Sequence, residues 1–331
     1  MNLEERIALL VKLRNYLTEE SEELSAVKQG ASEKNKWFTE EFINLSLKNI
    51  VDYFLDPEKL KKWVGHYRID DNINPQKIGV VMAGNIPMVG FHDFLSVFIT
   101  GHCQFIKLSE KDDMLLKHII DKMILWNPKV SDVVKVSELL KNCDAYIATG
   151  SNNSARYFNY YFGKYPSVIR TNKTSVAILS GEETPDDLIL LADDVFTYFG
   201  LGCRNVTKLF VPAAYNFEKL LRTFDKYKYF ADISKYKNNY DYNLAILIMN
   251  NKFYMSNENI ILAENENIFS PVSELHYSFY DDKKRLAVEL KTDENIQCIV
   301  GEGYIPFGHT QQPGLFDYAD GVDTMQFLLG L

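Results

Sequence analysis

Between residues 77 and 149 the chain alternates short apolar runs with amphipathic stretches. Residues 78–81, 104–108, 133–136 and 145–149 read as strands, and 91–100 and 112–125 read as helices. Parallel strands cannot be joined by tight hairpins and need helical crossovers, so this alternation predicts a parallel sheet with helices on both faces. Upstream, Ile7, Leu10, Leu13, Leu17, Phe38, Phe42, Leu45 and Ile50 recur at helical intervals between charges. That pattern predicts a helical N-terminus, from residue 3 to about 55, wrapped around the sheet.

A second unit begins near Lys173. Ser175-Val176-Ala177-Ile178-Leu179 reads as a buried strand, and Thr184-Pro185-Asp186-Asp187 reads as a helix start. Thr184 suits the N-cap, Pro185 the first turn, and the two acids complement the helix dipole. The helix is expected to run over 188–199, with further strands at 208–211, 244–249 and 260–263. Asn238-Asn239-Tyr240-Asp241 is the most loop-like stretch, and no internal repeat or low-complexity linker occurs.

With 331 residues, 46% of them hydrophobic, the chain can bury a substantial core. A net charge of -9, from 36 basic and 45 acidic residues, argues against a phosphate-backbone surface, so nucleic acid is not an expected partner. Cys103, Cys143, Cys203 and Cys298 are widely spaced, with no Cys-x-x-Cys pair and no His cluster, so no metal site is expected. Acids at Glu4 and Glu5 do not suit a signal peptide, and no apolar run approaches the ~20 residues a bilayer needs. A cytoplasmic protein without membrane insertion is expected.

Cys203 stands in Phe199-Gly200-Leu201-Gly202-Cys203-Arg204, between the helix 188–199 and the strand-like 207–211. Most free cysteines pack in cores, but a sulfur beside glycines at such a junction is open to a substrate and is a candidate nucleophile. Arg204 would lower the thiol's pKa if turned towards it, and would do nothing if turned to solvent. Gly84-Asn85-Ile86-Pro87 follows the first strand, at the end where open α/β sheets place ligands. The Asn85 carboxamide can donate to a developing oxyanion there, although the same residue types also make an ordinary turn. Lys107-Leu108-Ser109-Glu110 ends the next strand, where Lys107 suits a phosphate and Glu110 ribose hydroxyls; a solvated strand end explains them equally. Thr149-Gly150-Ser151 closes a third strand before a helix over 153–161, whose amides and Ser151 hydroxyl suit a pyrophosphate or nicotinamide. One glycine is a weak signal, and neither Gly-x-Gly-x-x-Gly nor a P-loop is present.

The order of these pieces, continued by Asn267-Ile268-Phe269-Ser270-Pro271-Val272 and Pro306-Phe307-Gly308, resembles the aldehyde dehydrogenase superfamily. Within it the chain looks most like the acyl-CoA reductases of the bacterial bioluminescence fatty-acid reductase type, over residues of about 75 to 325. The resemblance implies an α/β fold with a Rossmann-type nucleotide-binding domain behind helices (1–172), a catalytic thiol domain (173–315) and a tail packed back on the body (316–331). Cys203 then matches the nucleophile, and Asn85 matches the amide that completes an oxyanion hole with the Cys203 N–H. Gly84, in the same turn, is taken as a cofactor-binding position, Lys107 and Glu110 match positions at the adenosine ribose, Thr149, Gly150 and Ser151 match the cofactor turn, and Phe269 matches an aromatic beside the cofactor.

Two departures stand out. Asn267 replaces a ribose-binding Glu, and Val168-Ile169-Arg170-Thr171-Asn172-Lys173 replaces Glu-Leu-Gly-Gly-Lys. The second removes the carboxylate that would activate water against an acyl-enzyme, whereas exchange with coenzyme A needs no such base. The implied activity is reduction of an acyl-CoA, of fatty type, to an aldehyde with NADPH, or NADH, in a homodimer. Acyl phosphate or acyl carrier protein donors, and a binding protein that kept the fold without catalysis, stand as alternatives. Phe91, Phe94, Phe98, Phe196 and Phe199 suit either a fatty-chain tunnel or, more often, core. His92, His102 and His309 carry no spacing that demands catalysis.

Overall fold

Each of the first four helices is started by the side chain its sequence supplies. In the computed structural model, which describes residues 1–331, Asn2 forms a capping box on α1 (Leu3–Thr18), Ser21 caps α2 (Glu22–Lys34) and Thr39 caps α3 (Glu40–Asn49). After a π-helical turn over Ile50–Phe54, Asp56 and Pro57 start α4 (Pro57–Tyr67), so the helical N-terminus extends past its expected end.

The sheet that follows is all parallel. β1 (Lys77–Val81), β2 (Cys103–Lys107), β3 (Val134–Val136), β4 (Ala145–Thr149) and β5 (Ser167–Arg170) lie in the order β3-β2-β1-β4-β5. α5 (Phe91–Thr100) joins β1 to β2, α6 (Met114–Trp126) and α7 (Val130–Val133) join β2 to β3, and α8 (Asn152–Phe162) joins β4 to β5. One face, with Ile78, Val80, Ile106, Ala145 and Ile147, packs in a single core with Phe94 and Phe98 of α5 and with Leu10, Leu13, Phe38 and Ile43 of the N-terminal helices. Burying each Val, Leu, Ile or Phe among these contributes roughly 1.5–3 kcal/mol, so the N-terminal helices are part of this unit's core. On the other face Tyr146 stacks on Phe162 of α8 with centroids 4.2 Å apart. A Cβ at Gly79, opposite Tyr146 in register, would stand 2.6 Å from that ring, which is why a glycine interrupts a buried strand.

Two compact units make up the chain: residues 1–172 with 313–331, and residues 173–312. The second contains β6 (Thr174–Ile178), α9 (Pro185–Phe196), β7 (Val206–Pro212), α10 (Phe217–Thr223), α11 (Ser234–Met249), β8 (Tyr254–Ser256), β9 (Ile261–Glu264), β10 (Glu274–Tyr280), α12 (Lys283–Thr292) and β11 (Ile296–Val300). Its sheet runs β11-β6-β7-β10-β9-β8, parallel except for β8 against β9. Thr184 makes the expected cap on α9, and Asp187 completes a capping box.

The expected strand at 244–249 is the last part of α11, and the loop-like Asn238 to Asp241 lies inside the same helix. Its buried face is Tyr236, Tyr240 and Asn243, tied down by Tyr240 to Ser256 at 2.7 Å and by Asn243 to the Val272 carbonyl at 2.8 Å. Polar groups therefore face inward while Ile246 and Met249 face solvent, which inverts the hydrophobic pattern that marks a helix. Phe91, Phe94, Phe98, Phe196 and Phe199 are all buried in cores.

Residues 313–331 complete the first unit. Met325 and Leu328 of α13 (Thr324–Leu329) enter its core, and the Leu328 carbonyl meets His102 at 2.9 Å. His102 also receives the Gln76 N–H at 3.1 Å, so it is a structural histidine. Trp63 donates to Tyr318 at 2.9 Å, Tyr318 to Tyr67 at 2.9 Å, and Tyr67 to Asp323 at 2.6 Å. His92 stacks between Phe54 and Tyr318.

Arg170, at the end of β5, joins three segments: it donates to Asp93 of α5 at 2.6 Å and to Thr324 of α13 at 2.7 Å, with only 4% of its side chain exposed. Removing one member of a buried pair strands the other charge. Arg170→Met should therefore lower unfolding stability by about 3–5 kcal/mol, and the double substitution with Asp93→Leu should recover much of that loss. Urea titration of the three variants checks both signs.

Candidate functional site

β1 is the hub of the first unit's sheet, with Val81 opposite Lys107 of β2 on one side and Ala148 of β4 on the other. The chain leaves β1 for β2 through α5, and leaves β4 for β5 through α8. Connections diverge between β1 and β4, and such a topological switch opens a crevice at the carboxyl ends of the strands. Three sequence-derived pieces come together there: Gly84 and Asn85 after β1, Lys107 to Glu110 at the end of β2, and Thr149 to Ser151 at the end of β4. Asn85, Lys107, Glu110 and Ser151 are exposed, while Thr149 and Gly150 are half-buried. Pairing continues past the strand ends, because the Met82 N–H donates to the Lys107 carbonyl at 3.0 Å.

Both glycines of these turns are required by close approach. A Cβ at Gly84 would lie 2.5 Å from Ser109 Oγ and 3.2 Å from Asp112 Cβ. A Cβ at Gly150 would lie 2.9 Å from both the Phe158 ring and Ser154 Cβ. The Ser151 hydroxyl is committed to its own helix, accepting the Ser154 N–H at 3.2 Å as the N-cap of α8. What remains at that terminus is the Asn152 and Asn153 amides and the positive end of the dipole. A bare glycine cradle leading into a helix start, beside exposed Lys107 and Glu110, fits a dinucleotide: amides for phosphate, a carboxylate for ribose hydroxyls.

In the second unit, Cys203 lies on the short segment between α9 and β7. Thr197–Gly200 forms a 3-10 turn in which Tyr198, Phe199 and Gly200 have φ of 55°, 58° and 74°. Two consecutive left-handed residues other than glycine are strained, and they persist only where the surroundings fix them. The fixing residue is Asn205, fully buried, whose Nδ2 donates to the carbonyls of Asp194 (3.0 Å), Val195 (3.3 Å) and Thr197 (2.8 Å). Its Oδ1 accepts the Gly202 N–H at 2.8 Å. One carboxamide thus ties the end of α9 to the residue before the cysteine. Ser175 of β6 adds a bond to the Cys203 carbonyl at 3.1 Å.

Cys203 is half-buried, while Cys143 and Cys298 are buried. Arg204 donates to Cys298 Sγ at 3.2 Å, so its guanidinium is directed at a second sulfur rather than at bulk water. Asp194, also on α9, accepts from the Gly308 N–H (2.7 Å), the Thr310 N–H (3.1 Å) and the Thr310 hydroxyl (2.8 Å), which anchors the Pro306-Phe307-Gly308 segment. Burial pushes the Asp194 carboxyl up, against these donors. His309 meets Gln312 at 3.1 Å, a local contact without a catalytic geometry.

Phe269 is half-buried, and its N–H donates to Asn267 Oδ1 at 3.0 Å. Asn267 therefore shapes the turn that carries Phe269. The turn is held further by Thr207 to the Ile268 carbonyl at 2.6 Å and by His276 at the Asn267 carbonyl at 2.7 Å. In the first unit, the stretch 168–172 offers no carboxylate, and its Arg170 is locked into the Asp93 pair. Asp194 and Asp112 are not marked in the sequence because each works through groups distant in the chain, and Asn205 because its partners, 3 to 11 residues before it, sit on a left-handed turn that no local pattern announces. The one available signal is a polar residue beside a motif glycine.

No protein-family model matches the sequence, and no curated protein matches it. Solved structures do match. The apo betaine aldehyde dehydrogenase of Staphylococcus aureus is similar with a TM-score of 0.66 and 10% identity, over 91% of this chain and 71% of that one. The NAD+ complex of an aldehyde dehydrogenase from Bacillus cereus is similar with a TM-score of 0.63 and 12% identity, over 91% and 72%. Aldehyde dehydrogenase 21 from Physcomitrella patens, in complex with the reaction product succinate, gives 0.63 and 14%, over 91% and 74%. No helix is long and apolar enough to cross a membrane. The chain has the aldehyde dehydrogenase fold, with a Rossmann-type parallel sheet in its first unit and a second α/β sheet carrying the candidate thiol.

Proposed function

We propose that this protein reduces an acyl-CoA thioester, of fatty type, to an aldehyde through an acyl group carried on Cys203, with NADPH as reductant and NADH as the alternative. The observation that carries this reading is a half-buried cysteine on a strained junction, held by Asn205, in a fold of nicotinamide-dependent aldehyde chemistry. The absence of a carboxylate from 168–172 supports acyl transfer to and from a thiol over hydrolysis, because hydrolysis needs a base to activate water.

The Cys203 thiolate attacks the thioester carbonyl, the new C–S bond forms, and the bond to coenzyme A breaks with the pair leaving on its thiolate. Asn85 is the proposed side-chain donor to the transient oxyanion, on the strength of the sequence resemblance. A reduced nicotinamide, when bound, would supply the hydride, and with a proton taken up from water the acyl-enzyme would become a thiohemiacetal. Release of the aldehyde returns the electron pair to the Cys203 sulfur. Gly150 and the α8 terminus would hold the dinucleotide's phosphates, with Lys107 and Glu110 beside its ribose and Phe269 beside its ring.

Incubation with a long-chain acyl-CoA without reductant should add one acyl mass to the protein, visible by intact-mass measurement and absent in Cys203→Ala. An unmodified wild type, or a label that survives in Cys203→Ala, would end this reading. Acyl phosphates and acyl carrier protein thioesters, run in parallel with NADPH or NADH oxidation as readout, decide the donor and the coenzyme.

Gly84→Ala gives a second test. Its Cβ would meet Ser109 at 2.5 Å and displace the Asn85 turn. Acylation should slow by about tenfold or more, because misplacing an oxyanion donor removes stabilisation available only in the transition state. Cofactor-free acylation rates, with circular dichroism as the folding control, check it.

A further inference from the structure

The turn that closes β2 contains a carboxylate that the proposed reaction does not use. Asp112 is buried; its Oδ2 accepts the Met88 N–H at 2.7 Å, and its Oδ1 is buried with no hydrogen-bond partner. Met88 has φ of 58°, a left-handed conformation that a methionine keeps only where something holds it. Met88 belongs to the loop 84–90, which starts at Gly84 and Asn85 and ends at the first turn of α5.

The loop is gripped at three points, and two involve the same turn. Gly84 rests on Ser109 and on the Asp112 Cβ. Met88 is bonded to the Asp112 carboxylate, and the Pro87 carbonyl accepts from Ser46 of α3 at 2.7 Å. The turn is itself fixed: the Asp112 N–H donates to the Ser109 carbonyl at 2.9 Å, Asn35 to the Lys111 carbonyl at 3.3 Å, and Lys34 to Asp113 at 2.6 Å. A neutral acceptor could hold Met88 without burying a bare carboxylate oxygen, which is a costly group to leave unpaired.

We infer that Asp112 is the positioning residue of the Asn85 loop, acting through the Met88 N–H to hold residues 84–90 in the conformation that presents the Asn85 carboxamide at the carboxyl end of β1. The catalytic consequence rests on the proposed role of Asn85; the grip itself does not. Desolvation pushes the Asp112 carboxyl up to about 7, opposed by the Met88 N–H and reinforced by Asp113. The charges around it are Asp113, already paired with Lys34 of α2, and the exposed Glu110 and Lys111 of its own turn. From the loop comes the Met88 N–H, while the Ser46 hydroxyl of α3 is spent on the Pro87 carbonyl.

The sign follows from proton uptake. The unfolded carboxyl ionises near 3.8 and the folded one near 7, so this group's stabilisation is complete below about 4 and is lost as pH rises through 7. The same ionisation makes Oδ2 a stronger acceptor, so the loop is gripped harder where the fold is less favoured.

Three proteins test this: wild type, Asp112→Asn and Asp112→Ala. Hydrogen exchange read by mass spectrometry over residues 84–90 reports the grip, and Cys203 acylation across a pH series reports its consequence. Asp112→Ala should lose protection in the loop and acylate about tenfold or more slowly, with the donor's KM changed less than about twofold. Asp112→Asn, which keeps an acceptor, should restore protection. The ratio of wild-type to Asp112→Asn acylation should inflect near 7, since pH effects common to both proteins cancel in it.

Wild-type exchange in Asp112→Ala would overturn the inference. So would equal losses in both variants with a ratio independent of pH. Should wild type fail to acylate while exchange separates the variants, the acyl-transfer reading falls and the grip of Asp112 on the loop stands.

Discussion

Chain direction around β1 is the constraint from which the first unit's site follows. The strand pairs with β2 and with β4, yet its own continuation goes only to β2, through α5. Right-handed crossovers place helices on opposite faces when connections run in opposite directions along a sheet. The chain segments leaving β1 and β4 therefore part at the carboxyl ends, and the gap between them cannot be filled by either helix. Gly84, Asn85, Thr149, Gly150 and Ser151 sit on those segments. Glycine at 84 and 150 is dictated by neighbours less than 3 Å from where a Cβ would lie, so the same packing that closes the sheet strips the turns of side chains.

The helices before the sheet have a role beyond covering it. α2 holds the turn after β2 through Asn35 and Lys34, and α3 holds the loop after β1 through Ser46. Both loops are long-range guests of an arm that precedes them in the chain by tens of residues. The second unit solves a similar problem differently. There a single carboxamide, Asn205, takes the last carbonyls of α9 and the Gly202 N–H together, so the end of one helix and the start of the cysteine segment cannot move independently. A helix end needs partners for its orphan carbonyls in any case, and here that need fixes the approach to Cys203.

Local rules made part of this legible. Thr184, Pro185 and Asp187 start α9 because caps depend on residues within one turn, and the strands of the first sheet are apolar runs of ordinary length. The strand-end motifs were visible for the same reason, since Gly and Asn at a strand terminus act within a few residues. α11 was not legible, because its buried face is Tyr236, Tyr240 and Asn243, whose partners Ser256 and Val272 are distant in sequence. β10 is hidden likewise by His276 and Ser278, polar residues that point into the unit's interior. Asn267 was legible as a departure but not in its use, which is to shape the Phe269 turn. Nothing local marks Asp112 or Asn205, because the Met88 N–H that Asp112 accepts and the carbonyls that Asn205 binds are brought to them only by the fold.

Buried polar side chains thus concentrate where loops must be aimed: Asp112 under the Asn85 loop, Asn205 under the Cys203 segment, Asp194 under 308–310. Each displaces apolar packing, and the Asp112 carboxylate leaves one oxygen unsatisfied as well. A core selected for stability alone would replace such groups, because a hydrophobic side chain of similar volume avoids the desolvation that raises the carboxyls of Asp112 and Asp194. Apolar packing, however, is nearly indifferent to rotations of a peptide plane, whereas a hydrogen bond prefers angles above about 150° and weakens steeply below about 120°. Loops that carry reacting groups need angular precision, and in this chain polar anchors provide it at some expense of stability.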